Sequence, residues 1–232
     1  MVFRIDLKIF IFLILFYFTR QIKLYCIILI FAMLHEFGHL LAGVLLRMKV
    51  DKITLMPMGF SINFKLGIDD YNKKVLNSNR LEVKRLIIAS AGPLINILIV
   101  VIANFFKVNQ NINIIIYANM LIAIFNLLPI FPLDGGRMLK SILALKFNKR
   151  KAEKYIYYIS NIVLFIISFI FSILIYYFKN IALIVIIIYL WYIVLKQNRI
   201  YRMKRATVTI HSLWNKWFFK SNIDVLWIVT SN

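Results

Sequence analysis

His35, Glu36 and His39 fall at positions i, i+1 and i+4 of the pentapeptide His35-Glu36-Phe37-Gly38-His39. On a helix the two imidazoles share a face and can grip one metal ion, and the Glu36 carboxylate stands beside them as a proton acceptor. The pentapeptide lies inside an apolar run that extends over roughly residues 27–46. Two imidazoles and a carboxylate at membrane depth are costly and usually functional. The pattern points to metal-dependent peptide hydrolysis within a bilayer.

A catalytic zinc takes three protein ligands and keeps a fourth position for water. His35 and His39 supply two. Of the nine acids, only Glu36 and Asp134 sit in strongly apolar sequence away from an evident surface loop, and the one other histidine, His211, lies in a basic tail. Elimination leaves Asp134, in the segment Asn126-Leu-Leu-Pro-Ile-Phe-Pro-Leu-Asp-Gly-Gly-Arg137. This segment reads as the end of a helix broken by Pro129 and Pro132, with Gly135 and Gly136 allowing a tight turn before another helix. The alternative for Asp134 is to cap the helix beginning near Arg137; capping does not exclude metal binding, and the paired histidines favour the ligand role.

The expected centre is one Zn2+ per chain, held by His35, His39 and Asp134. The metal activates a water and polarises the scissile carbonyl. Glu36 takes the water proton and later delivers it to the leaving amine. Asn126 donates a hydrogen bond to the substrate backbone or the oxyanion, or else caps or packs its helix end. Gly38 lets another backbone approach the metal helix closely. Ala91-Gly92-Pro93 with Asn96 reads as small-residue packing with one buried amide.

Such a site needs helices that cross a membrane. The chain has 232 residues, 62% of them hydrophobic, where soluble domains run near 45–50% apolar. Six segments approach membrane length, at roughly 7–18, 22–46, 86–106, 112–128, 155–178 and 181–195. The stretch after Lys8 lacks a small-residue cleavage site and reads as a first span rather than a signal peptide. Lys and Arg number 29 against 9 Asp and Glu, for a net charge of +20. All but Arg20, Lys23, Lys107 and Lys179 lie at the two ends or in the loops 47–85 and 137–154. That bias places both termini and both loops in the cytoplasm of a multi-pass bacterial membrane protein. It explains the basic excess without a nucleic-acid partner. The metal then sits buried, with His39 about 10 Å from the cytoplasmic end of its helix. The single Cys26 excludes an internal disulfide.

Residues 50–66 differ from the rest. They are short, β-prone and partly alternating, with Pro57 and Gly59 in the middle. They read as a β-hairpin-like or re-entrant segment, whose edge could pair with an extended substrate, or as an ordinary loop. The fold class is therefore an all-α polytopic membrane protein, with about six transmembrane helices and this small β segment. Residues 1–200 form the membrane domain, and residues 201–232 form a short basic and aromatic tail with Trp214, Trp217, Phe218 and Phe219 among lysines.

At these residues the chain resembles the site-2 proteases, which are intramembrane zinc metalloproteases. H-E-F-G-H matches their first motif and P-L-D-G-G-R their second, with Ala91-Gly92-Pro93 and Asn126-x-x-Pro129 as secondary matches. The resemblance implies zinc on His35, His39 and Asp134, and Glu36 as general base. Within the family the chain is most similar to the stage IV sporulation protein FB group, which has six spans and no PDZ domain between the motifs. That similarity implies a membrane-associated pro-sigma-K type substrate, inhibitory membrane proteins as partners, and the membrane surrounding the forespore as location. The group usually carries a C-terminal CBS domain, and the tail here is too short for one.

Other readings keep the enzyme and change the substrate, to an anti-sigma factor or a signal-peptide remnant. A non-proteolytic metal-binding protein or transporter would use the same ligands. A transporter should show polar residues along several spans or an internal repeat. Apart from the two motifs and scattered asparagines, these spans are nearly pure Ile, Leu and Phe.

Overall fold

The computed structural model describes residues 2–5, 10, 14, 17–18, 22–56, 59–65, 76–106, 112–178, 184 and 186–207. The elements run β1 (Val2–Ile5), α1 (Ile22–Leu45), β2 (Lys49–Met56), β3 (Gly59–Lys65), α2 (Leu76–Phe106), α3 (Ile112–Leu127), α4 (Asp134–Lys146) and α5 (Lys149–Phe178). A further helix, α6, covers 186–207. The expected first span, 7–18, lies almost wholly outside the described residues.

Among the described residues, three stretches are long and apolar enough to cross a membrane: Tyr25–Leu45, Asn79–Phe105 and Lys149–Tyr177. α3 is apolar but has 16 residues, which at 1.5 Å each span about 24 Å, short of the ~30 Å hydrocarbon core.

α2 is the hub, packed against α1, α3 and α4. Its faces divide by helical spacing. Ala89, Gly92, Pro93 and Asn96 are buried, whereas Leu94, Leu98, Val101 and Phe105 are exposed, Phe105 by 85%. Small and polar residues therefore face protein and large apolar ones face outward, as a lipid-facing helix requires. Gly38 sets the distance between α1 and α2. A Cβ there would stand 2.9 Å from the Ala91 carbonyl oxygen.

α2 begins ten residues before the apolar stretch at 86. Its polar first turns are anchored by Glu82, which is buried and accepts from Arg85 Nη1 at 2.7 Å and from Ser141 Oγ of α4 at 3.4 Å. α1 closes with Met48 N–H on Gly43 O and Arg47 N–H on Val44 O, and Arg47 takes φ 56°. This is a Schellman ending, with a non-glycine residue in the left-handed position. It turns the chain straight into β2.

β2 and β3 pair antiparallel around residues 57–58, which lie outside the described set. β1 joins β2 in parallel, Val2 opposite Lys52, to make a three-stranded sheet ordered β1-β2-β3. The parallel third strand is an addition to the expected two-stranded segment. β3 packs on α1, where Gly43 accommodates the Phe64 ring.

The chain divides into two compact units, Met1–Phe165 and Ile166–Asn232. The first contains every residue discussed below. In the second, Trp191 Nε1 donates to Ser168 Oγ at 3.0 Å, and Leu190, Val194 and Asn198 are buried.

Candidate metal centre

His35 and His39 lie one helical turn apart on the buried face of α1, and Asp134 opens α4. All three side chains are buried. His35 Nε2 lies 3.2 Å from His39 Nε2 and 2.9 Å from Asp134 Oδ2, and His39 Nε2 lies 3.0 Å from the same oxygen. Four-coordinate zinc at about 2.0–2.1 Å from its ligands separates them by roughly 3.3 Å. The three atoms approach this spacing.

The outward nitrogens say which atoms face inward. His39 Nδ1 is 2.6 Å from the carbonyl oxygen of Ile88. A carbonyl only accepts, so Nδ1 carries the proton and Nε2 presents a lone pair. His35 Nδ1 donates likewise to Asn96 Oδ1 at 2.5 Å. With both ring protons used outward, two lone pairs and a carboxylate oxygen converge on one point. Three acceptors repel one another unless a cation stands between them. The donor chemistry therefore fits a divalent metal.

Room for the ion comes from Gly92. A Cβ on Gly92 would stand 2.4 Å from His39 Nε2 and 2.7 Å from His35 Nε2. Any side chain there would occupy the space in front of both nitrogens. The sequence suggested a packing contact at Gly92, but the structure makes it a wall of the centre. Pro93 follows it and lacks the N–H that would bond to the Ala89 carbonyl, next to the Ile88 carbonyl that holds His39.

Asp134 does not take the alternative role of capping a helix that begins near Arg137. It is the first residue of α4, the helix N-cap is Leu133, and no side chain caps it. The Asp134 carboxylate, in the first turn of α4, is not the N-cap. Oδ2 meets the histidines, and Oδ1 faces Arg137 Nη1 at 3.7 Å. Gly135 and Gly136 lie inside α4, where they admit close approach of the Leu127–Phe131 backbone rather than forming a turn. The Phe131 N–H donates to Ser160 Oγ of α5 at 2.9 Å, which ties down the loop before Asp134.

Glu36 is half-buried beside the pair. Asn126 is not brought to the three ligands by its amide nitrogen, which donates to Ile122 O in its own helix at 3.0 Å. Glu82 is a buried acid that sequence context assigned to the surface. It forms its own group with Arg85, Ser141 and Lys149, apart from the centre. Sequence reasoning named Asn96 only as a buried amide in a packing contact; it missed that Asn96 and the Ile88 carbonyl hold the histidines, with Asn119 behind Asn96. The available signal was an amide inside an otherwise apolar span, which must find a partner at membrane depth.

The model of peptidase family M50 matches residues 23–112 and 103–170. The chain belongs to peptidase family M50. The matched stretches carry His35, Glu36, His39, Asn96, Asn119 and Asp134 alike. Two M50-like relatives are the zinc metalloprotease MJ0392 of Methanocaldococcus jannaschii, 30% identical over 139 residues, and the stage IV sporulation protein FB of Bacillus subtilis, 24% identical over 141 residues. These alignments cover 56% and 59% of the chain but only 37% and 46% of the relatives. The chain thus matches less than half the length of either. The fold is similar to that of the solved site-2 protease from M. jannaschii, with a TM-score of 0.58 and 24% identity over 83% of this chain and 88% of that one.

Proposed function

We propose that the chain is an intramembrane zinc metalloprotease that hydrolyses a peptide bond of a membrane-associated protein. The observation that carries this reading is the convergence of His35 Nε2, His39 Nε2 and Asp134 Oδ2, with the ring N–H of both histidines turned outward. Membership of M50 supports it. A zinc ion held by these three atoms supplies Lewis acidity to a water and to the scissile carbonyl.

The chain's own residues do the rest. His39 and His35 hold their Nε2 lone pairs inward, and Arg137 draws the second oxygen of Asp134 aside. Glu36, one residue from His35 and half-buried, takes the water proton and returns it to the leaving amine. Asn126 donates to the substrate once it exchanges its bond to Ile122. An edge strand of the β1-β2-β3 sheet is suited to hold the substrate extended.

Six spans, cytoplasmic ends, a membrane domain over 1–200 and a short tail over 201–232 complete this reading. The substrate is a sporulation pro-sigma factor of the sigma-K type, the partners include inhibitory membrane proteins, and the site of action is the membrane surrounding the forespore. The similarity to stage IV sporulation protein FB supports this finer reading.

The test is co-expression with a tagged pro-sigma-type substrate in one bacterial membrane, beside Glu36→Gln and Asp134→Asn. Clipping by the wild type alone is the expected result. Clipping by both variants would assign the cut to another protease. A purified chain that binds zinc yet clips neither pro-sigma, anti-sigma nor signal-peptide substrates would favour a metal-binding or transport role.

A further inference from the structure

Asn96 of α2 and Asn119 of α3 are both fully buried, and each lies in an apolar helix. An amide at that depth is stable only when partnered. The two form one directed chain. His35 Nδ1 donates to Asn96 Oδ1 at 2.5 Å, Asn96 Nδ2 donates to Asn119 Oδ1 at 2.8 Å, and Asn119 Nδ2 donates to the Ile115 carbonyl at 2.8 Å.

The far end fixes the direction. The Ile115 oxygen has no proton to give, so the Asn119 nitrogen must face it. The Asn119 oxygen then faces Asn96 and demands the Asn96 nitrogen. That leaves the Asn96 oxygen for His35, which must place its proton on Nδ1. Flipping Asn96 alone would set two oxygens against each other at Asn119. Flipping both would set the Asn119 oxygen against the Ile115 carbonyl.

We propose that Asn119, which hydrogen-bonds to none of the metal ligands, fixes the tautomer of His35 through Asn96 and thereby sets the metal affinity of the centre. Asn119 is a positioning residue. Without it the Asn96 amide is free to turn its nitrogen toward Nδ1, which moves the ring proton to Nε2 and removes the lone pair that faces the metal. This inference rests on the metal reading given above.

Three measurements test it. In the metal-free wild type in nanodiscs, 15N-histidine NMR should place the His35 proton on Nδ1; this holds whether or not zinc is the native ion, so it judges the relay separately from the metal reading. Asn119→Leu should weaken zinc binding in chelator competition by about 10–100-fold, the usual range for outer partners of a ligand. Adding Asn96→Asp to Asn119→Leu should restore most of that affinity, because a carboxylate can only accept from Nδ1. A packing role for Asn119 would not be rescued by a change at residue 96.

A His35 proton on Nε2 would overturn the proposal, as would wild-type zinc affinity in Asn119→Leu or no recovery in a folded double variant. If Asn119→Leu does not fold, the tautomer of the wild type decides alone. A wild type that binds no zinc would defeat the metal reading and leave the NMR result to judge the relay.

Discussion

A Cβ on Gly92 would stand 2.4 Å from His39 Nε2, so the emptiness of one residue of α2 makes the metal position on α1. Gly92→Ala should therefore lose zinc affinity by on the order of 100-fold or more, at the upper end of losses seen when a ligand's surroundings change. The helix itself should be no worse, since alanine is the better helix former. Zinc content after dialysis and helicity by circular dichroism check the two halves of this expectation.

Glu36 and Asp134 should separate cleanly. Glu36→Gln keeps all three ligand atoms and should retain zinc while peptide hydrolysis falls by about 10²–10⁴-fold, the usual worth of a general base. Asp134→Asn replaces the converging carboxylate oxygen by a neutral amide and should lose zinc and activity together. Metal analysis beside a cleavage assay distinguishes the two patterns. A zinc-free Glu36→Gln would remove the base role.

The loop that presents Asp134 is tied to α5 by a bond from the Phe131 N–H to Ser160 Oγ. Ser160→Ala should leave that N–H without its partner in a part-buried place, at a cost of about 1 kcal/mol. Thermal unfolding in detergent should fall accordingly, with a smaller loss of zinc affinity. Unchanged stability would mean that water replaces the hydroxyl.

Glu82→Leu should destabilise without touching the metal. Glu82 is buried, but its partners Arg85 and Lys149 are about half exposed and can return to solvent. What is lost is mainly the Ser141 bond, so about 1 kcal/mol is expected rather than the larger penalty of a stranded buried charge. The melting temperature should drop while zinc stoichiometry holds.

The candidate ligands His35, His39 and Asp134 were legible in the sequence because histidine and aspartate are rare in apolar helices, so spacing and elimination left few choices. It did not make their supports legible. The Ile88 carbonyl is backbone and carries no residue signature, and Asn96 and Asn119 become partners only when α2 and α3 pack. β1 was invisible for a related reason. Four residues have no periodicity of their own, and their partner at Lys52 lies some fifty positions away. The start of α4 was misplaced because a Pro-Leu-Asp-Gly-Gly string reads as a turn, whereas backbone approach to Leu127 and Ile130 uses both glycines inside the helix.

The candidate ligands lie far apart in the first unit. His39 and Asp134 are 95 positions apart in the chain. At about 5–20 residues per second of synthesis, the histidines wait roughly 5–19 s for their carboxylate. During that interval Glu36 has no completed centre to serve. On the function proposed above, hydrolytic competence would be withheld from the nascent chain until α4 docks, so a half-made protein would not cut its neighbours.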